Sequence, residues 1–134
     1  ALPICVNVLL SRYSVESLTD VTEEYEQLGF AVGDIMMSAV LTVQNNTAAP
    51  IYYSPSFPLL IGNEQLMSAN LSVDSVMIEP GEAAAFNEMY RIPDALYEAE
   101  HMATMQVPAA FKLPNSTSSG DALGDFGEWT LPIK

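Results

Sequence analysis

Basic side chains are almost missing from this chain. Arg12, Arg91, Lys112 and Lys134 stand against 17 Asp and Glu residues, for a formal net charge of -13. Such a surface repels phosphate backbones and anionic lipid, because nucleic-acid affinity depends on Lys and Arg displacing condensed counterions. Nucleic-acid binding is therefore excluded as a function class. A cation-rich milieu, a basic partner or simple solubility all fit the acidity, and a solvated, self-repelling surface is its plainest meaning. Cysteine is nearly missing too: Cys5 stands alone, which rules out an intrachain disulfide and a cysteine-cluster metal site and leaves the redox compartment open. No apolar run approaches the roughly 18 to 20 residues that span a bilayer, and Leu2 to Leu10 is broken by Pro3 and Asn7. No basic, apolar leader precedes Ala1, and the chain starts without Met, so a mature or trimmed fragment is expected, with room for an anchor in its precursor.

Histidine is equally scarce. His101 is the one copy, and a Ser-His-Asp relay would need a nucleophile on an elbow such as Gly-x-Ser-x-Gly, which the chain does not contain. A P-loop, a Gly-x-Gly-x-x-Gly fingerprint and a His-Glu-x-x-His pair are absent as well. Paired carboxylates could in principle cleave glycosides, but 17 unplaced acids single out no pair. The expectation is a chain without catalysis and without a cofactor.

What is present is apolar material in β-type runs. At 134 residues with 49% hydrophobic side chains, the chain can close one core without staples, so a single domain over residues 1–134 is expected. Ile4 to Tyr13 has the composition of a buried first strand, although Val8 to Leu10 blurs its alternation. From Val15 the spacing changes: Val15, Leu18, Val21, Tyr25 and Leu28 recur at steps of three or four, which predicts a short amphipathic helix with Ser14 as a cap and Gly29 as a stop. An acidic strand connection is the competing reading of the same residues. Ile35 to Val43 lacks Gly and Pro and reads as a central strand. Asn45, Asn46 and Thr47 form a polar turn that can bond its own backbone, and Pro50 removes an amide donor where the next strand would begin. Ile51 to Ile61 contains Pro55 and Pro58, which predicts an edge or bulged strand with Phe57, Leu59 and Ile61 facing the core.

Further on, Gly62-Asn63-Glu64 is a turn signature, and Glu79-Pro80-Gly81-Glu82 predicts a type II turn. A strand over Ala83 to Ile92 should follow it. Pro93 and Asp94 open a single helical turn or a loop, Met102 to Leu113 reads as a strand interrupted by Pro108, and Asn115 to Gly124 as a loop. Trp129, Leu131 and Ile133 alternate in a final strand. About seven or eight strands in one domain are the expected count for an immunoglobulin-like β-sandwich. Three Asn-x-Ser/Thr triplets, at Asn45, Asn70 and Asn115, each fall in a segment that reads as turn or loop and hint at exposure.

The order of these features resembles the small immunoglobulin-like domains of unassigned function found in secreted proteins and lipoproteins of Gram-positive bacteria and some archaea. The resemblance rests on Val43-Gln44-Asn45-Asn46-Thr47, Pro50, Phe57-Pro58-Leu59, Gly62-Asn63-Glu64, Pro80-Gly81-Glu82, Phe86 and Ile92-Pro93, and covers about residues 4 to 133. Asn87 and Glu88 depart from it, since they follow Phe86 where a plain alternating strand is usual. What the resemblance implies is an extracytoplasmic, non-catalytic module with no agreed ligand, often attached to a membrane anchor.

Two kinds of site can be named from residue types. Tyr52, Tyr53 and Phe57 are aromatic residues on a proline-broken strand that could present a sheet face or edge to a protein partner or to a second copy, although aromatics in such a run also serve as core. His101, Met102 and Met105 combine imidazole with thioethers, ligands that suit Cu(I) in a chain with seven methionines. Methionine is also ordinary core filler. Asp121, Asp125 and Glu128 flank glycines and could offer oxygen ligands to Ca²⁺, though without the alternating spacing of a calcium loop.

Overall fold

The computed structural model describes residues 6–53, 57–69, 76–106, 111–112 and 128–134. Among these lie ten strands and two short helices: β1 (Val6–Ser17), α1 (Glu23–Gln27), β2 (Ile35–Asn45), β3 (Ile51–Tyr53), β4 (Leu59–Ile61), β5 (Glu64–Leu66), β6 (Val76–Ile78), β7 (Ala83–Ile92), α2 (Asp94–Ala99), β8 (Met102–Gln106), β9 (Phe111–Lys112) and β10 (Glu128–Pro132). They form three antiparallel sheets, ordered β1-β2-β7, β10-β8-β4-β5 and β6-β3-β9.

Period-two alternation fixes the centre. In β2 every odd residue from Ile35 to Asn45 is buried, while Ser38, Val40, Thr42 and Gln44 between them are only half-buried. Successive strand side chains point to opposite faces, so one face of β2 carries the core and the other is left for something else. Met37, Leu41 and Val43 of β2 join Tyr90 and Ile92 of β7, Ile51 and Tyr53 of β3, Leu59 and Ile61 of β4, Met105 of β8 and Leu131 of β10 in one buried cluster. All three sheets contribute to it.

β1 explains why its sequence did not alternate cleanly. The pairing with β2 shifts register between Leu10 and Arg12, which makes Ser11 the extra residue of a bulge. Val6, Val8 and Leu10 pack on the core before the bulge, and Tyr13 and Val15 after it. The inward parity changes from even to odd at that point, so β1 runs on to Ser17. The helix expected from Val15 to Leu28 is therefore corrected to Glu23–Gln27, because Val15 belongs to the strand. Its cap is Thr22, whose Oγ1 accepts the Tyr25 N–H at 3.3 Å, and not Ser14. Gly29 does end it: at φ +93° its N–H donates to the Glu26 carbonyl, and the Phe30 N–H donates to that of Tyr25, both at 3.0 Å. That is the Schellman arrangement, with the Tyr25 and Phe30 rings in edge contact at 6.1 Å.

The proline-rich segment behaves differently from expectation. β3 and β4 are not edges: β3 lies between β6 and β9, and β4 between β8 and β5. Proline shortens them to three residues each instead of banishing them to a sheet margin, and Pro58 sits just before β4, where only its carbonyl is needed, accepting from Gln106 N–H at 2.9 Å. The strand count rises above seven or eight for the same reason. Ile51 to Ile61 is cut into β3 and β4, and Met102 to Leu113 into β8 and β9, with the pieces in different sheets. The turn before β7 is as expected, with Gly81 at φ +80° and the Glu82 N–H donating to the Glu79 carbonyl at 3.0 Å. Among the described residues no helix is long and apolar enough to cross a membrane.

Candidate functional site

The outer face of the β1-β2-β7 sheet carries the candidate site. Cross-strand register sets two rows on it, Arg12 beside Val40 beside Asn87, and Ser14 beside Ser38 beside Met89. Each row takes one residue from each strand, at positions whose neighbours along the strand turn into the core. The Ser14 and Ser38 hydroxyls lie 3.4 Å apart. Glu24 and Tyr25 of α1 form a wall, and the half-open groove measures about 560 Å³, within the range of ligand-binding clefts. A second buried cluster of Leu18, Phe30, Met36 and Met89, with Tyr25 and Leu28 against it, clamps the α1 segment to this face and fixes the wall.

Electrostatics single out Arg12. Arg91 is engaged by Asp34 at 3.3 Å, whereas Arg12, on the rim of the groove, makes no ion pair with any described residue. Arg12, Ser14, Ser38, Asn87 and Glu24 thus give the groove a polar lining, beside the apolar Val40 and Met89. Glu88, the neighbour of Asn87, is nearly covered at 6% exposed. Burial pushes its carboxyl above the ordinary range, opposed by a hydrogen bond from Ser68. Tyr53 and Tyr90 are also pushed up, by burial first and then by the Glu88 charge. The Tyr90 hydroxyl donates to the Phe57 carbonyl.

The aromatic residues proposed as a contact face divide. Tyr53 and Phe57 are core, fully or almost fully buried, and pack with Phe86 at ring separations of 5.5 to 6.3 Å. The reading of Tyr53 and Phe57 as contact residues is corrected on that ground: both side chains are spent on the interior. Tyr52, on the opposite face of β3, is 37% exposed and stands across from Met77, itself exposed.

The copper candidates do not converge. His101 and Met102 are exposed, but Met105 is fully buried between Leu59 and Trp129 of the neighbouring strands. Met102 and Met105 are three apart on β8, so period-two geometry sends them to opposite faces. Replacing Met105 by Ala should destabilise the chain by about 2 to 5 kcal/mol, while Met102→Ala should change it by less than about 0.5 kcal/mol. Thermal melts of the two variants check this, and equal effects would contradict the opposed faces. Of the calcium candidates, Asp121 and Asp125 lie outside the described residues, and Glu128 opens β10 at an exposed position. Among the described residues no three His, Cys, Asp or Glu side chains group as metal ligands would.

Asn45 corrects the hint of exposure drawn from its triplet. It is fully buried, with both amide protons donated to main-chain carbonyls. Asn70 and Asn115 lie outside the described residues. The groove itself was missed in the sequence, and its signal was faint: Ser14, Ser38 and Asn87 are polar residues inside apolar strands, and Arg12 is one of four bases.

No family model and no curated protein matches the chain. Solved structures do. A candidate lipoprotein (ycdA) of Bacillus subtilis subsp. subtilis str. 168 superposes with a TM-score of 0.56 at 10% identity, over 97% of this chain and 36% of that one, so the chain spans about a third of that protein's length. A structural-genomics target matches with a TM-score of 0.54 at 12% identity over 100% of this chain and 86% of its own. An uncharacterized β-sandwich protein (CD630_09570) of Clostridium difficile 630 matches at 0.53 and 9% identity, over 97% and 86%. At such identities the likeness is one of fold. The chain is a mostly β, antiparallel sandwich, of the fold class that these solved structures share.

Proposed function

We propose that this chain is a non-catalytic, immunoglobulin-like binding module that works outside the cytoplasm, joined to an anchor in a longer precursor, and that it binds a protein through the outer face of the β1-β2-β7 sheet. The observation that carries the reading is the groove beside α1. Its floor is rigid, being three paired strands, and its polar groups are arrayed at fixed cross-strand spacings, as a binding surface requires. The candidate lipoprotein among the similar folds supports the compartment. The net charge of -13 steers a partner of net positive charge toward the chain, while unpaired Arg12 favours an acidic group at the contact itself, because complementary fields raise encounter rates and suppress wrong partners.

Site-specific photocrosslinking in the source cells tests this. A photoreactive residue at Ser38, on the groove floor, should yield a discrete protein adduct that disappears when Val40→Trp fills the groove. The same probe at Glu64, exposed on β5 of another sheet, should not yield that adduct. No adduct from Ser38, or one indifferent to Val40→Trp, would overturn the groove as the binding face.

A further inference from the structure

The edge of β1 carries an inference independent of what fills the groove. Among the described residues β2 is the strand that pairs with β1, and over Ser11–Ser17 none of them covers the main-chain donors and acceptors on the other edge, which a sheet would use. The far edge of the same sheet is not open in this way. There the Ala69 N–H donates to the Met89 carbonyl at 2.7 Å and the Met89 N–H to the Ser68 hydroxyl at 3.1 Å, so a crossing segment covers β7.

The charge on β1 is unlike that of the chain. Over Val6–Ser17 there is one acid, Glu16, and one base, Arg12, in a protein with 17 acids and four bases. Both side chains are exposed and neither forms an ion pair with a described residue. They sit four apart beyond the bulge, on the same outer face. If β1 pairs antiparallel with another β1, a single register sets these charges opposite each other: Ser14 facing Ser14 on the two-fold axis. Arg12 then meets Glu16 of the second copy twice, once on each side of the axis, and Tyr13 meets Val15 on the core-side face, an aromatic and β-branched pair of the kind that stabilises sheets. The pairing would run from Ser11 to Ser17, which is the stretch between the bulge and the end of the strand. Bulge and strand end thus delimit the segment that the charge pattern selects.

We infer that the partner for this edge is a second copy of the chain, forming a two-fold dimer in which the two β1 strands join the β1-β2-β7 sheets into one six-stranded sheet. The isologous geometry makes each contact occur twice. It also brings the two grooves onto one continuous outer face. The paired segment is short, so the dimer is a weak one that forms at high protein concentration.

Sedimentation velocity of the purified chain across a wide concentration series tests the dimer. A reversible monomer–dimer equilibrium is expected. Arg12→Glu and Glu16→Arg each place like charges opposite one another at both pairs and should weaken the dimer about tenfold or more. The double variant R12E/E16R restores opposite charges and should recover the affinity to within a few-fold of wild type. Both positions are exposed, so circular dichroism should report an unchanged fold in all three. A chain that stays monomeric at the highest concentration overturns the inference, as does a dimer that either single variant leaves intact or that the double variant fails to restore.

Discussion

Replacing Asn45 by Ala should cost about 3 kcal/mol and lower the melting temperature by about 10 °C. Asn45 is the last residue of β2, and its side chain makes four hydrogen bonds while fully excluded from water. Nδ2 donates to the carbonyls of Ala49 and Ile78, both at 2.9 Å, and Oδ1 accepts from the Thr47 N–H at 2.9 Å and its hydroxyl at 2.6 Å. The main chain of the same residue is held at the turn before β7, with its N–H on the Glu82 carbonyl and its carbonyl on the Gly81 N–H. One residue therefore joins the end of the β1-β2-β7 sheet to the end of β6 in another sheet. Alanine would leave the Ile78 carbonyl buried without this donor, and that loss outweighs the modest net value of each bond. Asn45→Asp is the sharper variant, because it is nearly isosteric and exchanges two donated protons for a carboxylate aimed at two carbonyl oxygens. It should be less stable than the Ala variant at neutral pH and recover as the carboxyl is protonated, since a protonated acid can donate once. Melts of both variants at neutral and acidic pH check this, and an Ala variant within about 2 °C of wild type would show that the buried amide is not the joint described.

The strands were legible where one mechanism acted alone. β2 and β7 could be read because long, Pro-free alternation leaves one register for the core, and the Pro80-Gly81 turn because few residues tolerate φ near +80°. Where two signals overlapped, the reading slipped. The Ser11 bulge moved the inward parity of β1, so Val15 fell into a helical spacing that tertiary structure did not honour. Pro55 and Pro58 suggested one edge or bulged strand, whereas the run holds two short strands that each lie between neighbours, because strand order depends on contacts far apart in sequence. The site suffered most from that. Arg12, Ser38 and Asn87 become neighbours only through register between β1, β2 and β7, and no local pattern encodes it. Tyr53 and Phe57 show the converse error, in which residue type suggested a contact surface while burial assigned them to the core.

Glu88 also marks a place where the sequence looked irregular, following Phe86 with a charge at a core-side position of β7. Glu88→Gln should raise the melting temperature at neutral pH by a few degrees. The carboxyl is nearly covered, its strongest influence is the loss of solvent, and the hydrogen bond from Ser68 offsets that only in part. A raised folded-state pKa means that the folded chain holds this proton more tightly than the unfolded chain does. Between the ordinary carboxyl value and the raised one the folded state binds more protons, so stability falls as pH rises through that window, and above it the whole cost of the buried charge is carried. Glutamine keeps the shape and the ability to bond Ser68 without the charge. Its advantage over wild type should therefore be largest at neutral pH and vanish once the pH drops below the ordinary carboxyl range. Tyr53 and Tyr90, pushed up partly by the same charge, stay neutral throughout and do not enter this comparison. Calorimetric melts of the two proteins across that range decide the matter. A Gln variant that is less stable than wild type at neutral pH would mean that the carboxylate is held charged by a partner worth more than its desolvation, and that the departure at Glu88 stabilises β7 instead of straining it.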